Sequence, residues 1–194
     1  MICTELGKCV DCIIRKNVTT RSKKGKHKEK TETVYTGSPC ADDSKAKQCI
    51  KFMDNREKPS CTENGKRYIL DIGAHYFDCV CIRIDKGVLA SNEVQKCDFA
   101  FFLKDTEQRV ILIELKGKDV GHAIGQLHDS LQLDALKDAL RGKKVYGRIA
   151  CTASVPDIYT KQRMDLQKEF MRLKGNLKIG GALFVEPYCN MDKL

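Results

Sequence analysis

Two apolar runs separated by a short charged turn constrain this chain more than any other feature. Lys96-Cys97-Asp98-Phe99-Ala100-Phe101-Phe102-Leu103 and Val110-Ile111-Leu112-Ile113-Glu114-Leu115-Lys116-Gly117 flank Lys104 to Arg109, the pattern of a β-hairpin. Side chains alternate along a strand, so Val110, Leu112, Glu114 and Lys116 share one face, and Ile111, Ile113 and Leu115 share the other. Both faces are mainly apolar, as in a strand covered on each side. Burying a carboxylate and an ammonium at the end of such a strand is costly, so their presence asks for a purpose. A turn centred near Thr106 sets Asp98 opposite Glu114 on one face, roughly 5 Å apart. Asp98, Glu114 and Lys116 are therefore expected to converge at one end of a sheet.

Two carboxylates and a lysine in that arrangement suit metal-assisted phosphodiester hydrolysis. Hard oxygen ligands hold Mg²⁺ or Mn²⁺, which offset charge building on a phosphate, while a lysine orients or activates water. The set resembles the PD-(D/E)xK nuclease superfamily, which includes restriction endonucleases and Holliday-junction resolvases. Asp98 matches its metal-binding aspartate and Glu114-Leu115-Lys116 its acid-x-lysine element; Cys97 stands where that motif has proline. Gln126, on an amphipathic helix carrying Ile124, Leu127, Leu131, Leu136 and Leu140, is placed like the glutamine that many members direct at the metal. The resemblance spans roughly residues 66 to 155. It implies a restriction endonuclease-like α/β fold, a mixed sheet flanked by helices, with metal on Asp98, Glu114 and the Leu115 carbonyl, Lys116 acting on water, and Gln126 in support. An upstream acid often completes such sites, which points to Glu93, with Asp71 the other choice. Set against this, acid and lysine pairs at strand ends are commonly surface ion pairs worth about 0–1 kcal/mol.

The first 65 residues read as a small, basic, cysteine-rich extension, and residues 66–194 as the nuclease-like core. Eight basic residues and one acid lie between Arg15 and Lys30. The flanking segments have β composition, so a hairpin is expected with Lys23-Lys24-Gly25-Lys26-His27-Lys28 at its tip. Arg21, Lys23, Lys24, Lys26, Lys28 and Lys30 would meet phosphates without sequence preference; the plain alternative is a solvated loop. Eleven cysteines are an odd number, and a cytoplasmic setting disfavours disulfides. Cys9, Cys12, Cys40 and one of Cys49 or Cys61 form a candidate structural Zn²⁺ quartet. Cys79, Cys81, Cys97 and Cys151 lie in apolar company and read as core residues.

Along the remainder, Ser44 to Met53 reads as a short helix, Arg67 to Ile72 and Phe77 to Ile84 as strands, and Val145 to Thr152 as a strand parallel to its predecessor across the glutamine helix. Tyr159 to Lys174 reads as a second helix and Leu177 to Val185 as a final strand or edge element. No apolar run of membrane-spanning length and no secretory leader is apparent, so a cytoplasmic protein without membrane attachment is expected. A formal charge of +9 and a pI near 9.0 favour a polyanionic partner. Taken together, the expected function is an Mg²⁺- or Mn²⁺-dependent nuclease, acting on DNA in preference to RNA, with a homodimer as one arrangement for double-strand cutting. Two alternatives share the sequence: a non-catalytic nucleic-acid-binding module of nuclease-like fold, and a zinc-stabilised protein-interaction domain.

Overall fold

In a computed structural model the described residues are 18–25, 28–35, 49–88, 95–152 and 161–193. They build a mixed α/β protein with eleven strands, three α-helices and a short 3-10 turn. Strands β1 (Val18–Gly25) and β2 (Lys28–Tyr35) form the expected antiparallel hairpin, with Gly25 across from Lys28 and Lys23 across from Lys30. Lys26, at its tip, lies outside the described residues, as do Glu93 and Cys9, Cys12 and Cys40.

The central sheet has six strands in the order β10-β9-β8-β7-β6-β3. Its middle is the hairpin of β7 (Phe99–Leu103) and β8 (Val110–Lys116), buried along nearly its whole length. Phe99 pairs with Ile113 and Ala100 with Leu112, the register that a turn centred near Thr106 requires. On one side β6 (Cys79–Arg83) pairs antiparallel with β7, and β3 (Ile50–Asp54) with β6. On the other side β9 (Val145–Cys151) and then β10 (Leu177–Gly180) run parallel to β8. The parallel step from β8 to β9 is made through two helices, α1 (Val120–Gln132) and α2 (Asp134–Leu140). Asp119 caps α1 by accepting a hydrogen bond from the His122 N–H at 2.9 Å. The helix ends where Leu133 turns to extended backbone, so the expected single helical stripe is broken into two.

Strand alternation divides the interior into two layers. Val80, Ile82, Ala100, Phe102, Val110, Leu112 and Ile149 face α1, α2 and α3 (Lys161–Arg172), which supply Leu127, Leu131, Leu136, Leu166 and Phe170. Cys79, Cys81, Phe101, Ile111, Ile113, Leu115 and Tyr146 face the other way. That second layer is closed by a three-stranded mixed sheet in the order β11-β5-β4, from β4 (Ser60–Glu63), β5 (Lys66–Asp71) and β11 (Leu183–Pro187). Its tie to the central sheet is a buried ion pair: Arg148 Nε donates to Glu186 Oε2 at 2.6 Å, and Tyr68 and Lys178 donate to the same carboxylate.

Two expectations are corrected. Residues 50–53 are strand, not helix, because Ile50, Phe52 and Met53 pair with the edge of β6 and put side chains on both layers. The stretch after Leu177 forms two strands in two sheets, divided at Gly180 and Gly181. Pairing in the central sheet begins at Ile50. The strand expected over Arg67 to Ile72 forms as β5, in the smaller sheet beside β4, an element that sequence reading missed. The overlooked signal is Asn64-Gly65, both at positive φ (46° and 74°), the residue pair that a two-residue hairpin turn favours.

Candidate functional site

At the carboxyl end of β8 the structure brings together Asp98, Glu114, Leu115, Lys116 and Gln126. Asp98 stands one step before the first β7 pair, and continuing the register sets it across from Glu114. Its Oδ2 accepts a hydrogen bond from the Leu115 N–H at 2.8 Å, which pins the carboxylate to the end of the neighbouring strand. Glu114 shares the helix-facing side with Leu112, whereas the Leu115 side chain points into the opposite layer. Lys116 Nζ lies 3.9 Å from Glu114 Oε1 and donates to Gln126 Oε1 at 2.7 Å. The Gln126 Nε2 amide in turn donates to the Lys96 carbonyl at 3.0 Å, so α1 is tied to both strands of the hairpin. One turn further along α1, Ser130 Oγ accepts from the Cys97 N–H and donates to the Gln126 carbonyl, each at 2.7 Å. Cys97 thus supplies a backbone N–H that a proline at this position would lack.

Asp98 is 8% and Glu114 1% exposed. Glu114 Oε2 is buried without a hydrogen-bond partner, a costly state for a carboxylate. Burial is the first cause raising the Asp98 carboxyl above its ordinary value; the Leu115 N–H opposes this, and the charges of Glu63 and Asp85 add to it. Burial likewise raises Glu114, followed by the charge of Asp98, with Lys116 opposing both. Two desolvated carboxylates side by side thus resist losing both protons.

Sequence reading missed the surrounding charges. Glu63, at the Asn64-Gly65 turn, is close enough to raise both carboxyls, and it receives Arg83 at 3.2 Å. Asp85 takes an ion pair from the buried Lys96 at 3.3 Å. Asp71, by contrast, pairs with Lys58 at 3.1 Å.

Among the described residues no three His, Cys, Asp or Glu side chains stand together as a ready-made metal cluster. The two alternatives for the fourth zinc ligand occupy different layers: Cys49 packs against the helix-facing core, and Cys61 lies in the other. Burial pushes the Cys61 thiol well above its ordinary value. No described helix is long and apolar enough to cross a membrane.

Compared with protein-family models, curated proteins and solved structures, the chain finds no match.

Proposed function

We propose that this protein is a divalent-metal-dependent nuclease with a restriction endonuclease-like core, hydrolysing phosphodiester bonds in DNA. The observation that carries the reading is the unpartnered Oε2 of Glu114, buried beside Asp98 and next to a lysine held by a glutamine. A divalent cation would satisfy that oxygen and remove the repulsion between the two carboxylates, so the donor set fits Mg²⁺ or Mn²⁺ held by Asp98 and Glu114. When bound, such an ion supplies Lewis-acid stabilisation of charge on a phosphate.

The protein's own groups have separable tasks. The Leu115 N–H fixes one Asp98 oxygen and leaves the other to bind. Lys116 is 27% exposed at its side chain, so its ammonium can orient a water molecule or meet a phosphate oxygen while Gln126 holds its position. The net positive charge, and the basic β1-β2 hairpin, support a polyanionic substrate.

The test is cleavage of supercoiled, linear duplex and single-stranded DNA, and of RNA, with Mg²⁺, Mn²⁺ or EDTA. Metal-dependent cutting of DNA that is lost in both Asp98→Ala and Lys116→Ala is the expected result. Absence of cutting by folded wild-type protein on every substrate, with salt-sensitive binding retained in Lys116→Ala, would replace the nuclease by a binding module.

A further inference from the structure

A second charged feature lies at the opposite end of the central sheet and has no part in the carboxylate site. Lys144 immediately precedes β9, and its carbonyl accepts from the N–H of Val110 at the start of β8. Lys116 ends β8 six residues later, so the two ends are roughly 20 Å apart along the strand. Here the last turn of α2, the loop from Arg141 to Lys144 and the last turn of α3 border an open surface cavity of about 560 Å³. That volume falls in the range of small-molecule sites, roughly 300–1,000 Å³.

The lining has two chemically distinct parts. Leu131, Leu140 and Leu173 give an apolar floor, and six Lys or Arg side chains surround it with Glu107 as the one acid. Lys144 is neutralised by Glu107 at 2.5 Å. Lys137 and Arg141 pair with Asp134 and Asp138 on α2. Lys143, Arg172 and Lys174 make no ion pair among the described residues. Cations near a helix C-terminus offset the helix dipole, and here three that are unpaired among the described residues gather around one cavity. Lys174 is held at positive φ (61°) by the turn that ends α3. The following Gly175 cannot carry a Cβ, which would lie 1.9 Å from the Val145 carbonyl oxygen. The Lys174 side of the rim is thus set by a backbone turn that packing fixes.

Three uncompensated cations above a leucine floor match a short chain of phosphates joined to a ring whose faces can pack on aliphatic side chains. We propose that this cavity binds a nucleoside triphosphate, its phosphates on Lys143, Arg172 and Lys174 and its base against Leu131, Leu140 and Leu173. Nucleoside triphosphates combine both parts in one molecule; inorganic phosphate chains lack the base, and a nucleic-acid backbone presents its charges one per nucleotide. The proposal is independent of the nuclease reading.

The experiment is a calorimetric titration of the full chain with ATP, GTP, inorganic triphosphate and a single-stranded oligonucleotide. Wild type is compared with Arg172→Glu/Lys174→Glu, on the exposed rim, and with Glu114→Gln, circular dichroism establishing that each is folded. The expected result is saturable 1:1 binding of ATP or GTP, weakened roughly tenfold or more by the double charge reversal and unchanged in Glu114→Gln. Inorganic triphosphate should bind at least about tenfold more weakly than ATP. The proposal is overturned by absence of saturable nucleotide binding, by binding that survives the rim reversal, by inorganic triphosphate matching ATP, or by an oligonucleotide binding where nucleotides do not.

Discussion

Lys116 Nζ donates to the side-chain oxygen of Gln126 at 2.7 Å, while Glu114 Oε1 lies 3.9 Å away. The closer partner of the strand-end lysine is therefore a neutral amide on the neighbouring helix, not the carboxylate two residues before it. On the proposed nuclease reading, Gln126 would position Lys116. Gln126→Ala should lower kcat for DNA cleavage roughly tenfold, the worth of one hydrogen bond to a charged group, with KM little changed. Gln126→Glu, which keeps an acceptor, should recover part of the loss. A variant that cleaves at the wild-type rate would remove Gln126 from the site.

The buried carboxylates predict a trade between stability and metal binding. A carboxyl raised above its ordinary 4.5 on folding carries no penalty below that pH. As pH rises, the folded state increasingly resists ionisation, and the penalty grows until the folded value is passed. Glu114→Gln should therefore be more stable than wild type without metal, by about 1–3 kcal/mol at pH 8, with the difference shrinking towards pH 4. Mn²⁺ should raise the melting temperature of wild type and not of the variant, and EDTA should reverse the rise. Equal metal-induced shifts in both proteins would place the ion elsewhere.

The Arg148–Glu186 pair makes the opposite prediction. Burial pushes the Glu186 carboxyl up, but hydrogen bonds and charge from Arg148, then hydrogen bonds from Tyr68 and Lys178, outweigh it and hold the group below its ordinary value. Its contribution is present above pH 4.5 and lost as pH falls through the folded value. Arg148→Met, which strands a buried carboxylate, should cost about 3–5 kcal/mol at neutral pH. Denaturant midpoints measured from pH 7 to pH 3 should fall on the acid side in wild type. They should fall less steeply in Arg148→Met/Glu186→Gln; identical slopes would discount the pair.

Ser130 predicts a structural effect transmitted to the site. It is fully buried and accepts from the Cys97 N–H next to Asp98. Ser130→Ala leaves that N–H without a partner and should cost about 1–3 kcal/mol. Hydrogen exchange at Cys97 should accelerate selectively; protection equal to wild type would show that another acceptor replaces the hydroxyl.

The central hairpin was legible because its runs are apolar on both faces and a turn fixes its register, so Asp98 could be placed opposite Glu114 before any fold was known. The parallel β8-β9 step was likewise legible from a helix of the right period between two buried runs. Residues 50–53 were not, because a short amphipathic stretch reads equally as helix or edge strand until a partner strand decides it. The same limit hid Glu63. Its influence on the carboxyls depends on a β4-β5 hairpin brought over the sheet by packing, although Asn64-Gly65 announced the turn itself.

Sequence by itself thus determined the strands whose alternation and length leave one folding choice, and the types of charge at their ends. Tertiary structure alone decided which of those charges meet water and which lose it. Desolvation, not composition, separates Glu114, whose Oε2 is buried without a partner, from Asp71 on its salt bridge to Lys58. The cost of removing a charge from water depends on every element packed around it, and no local pattern of residues contains that information.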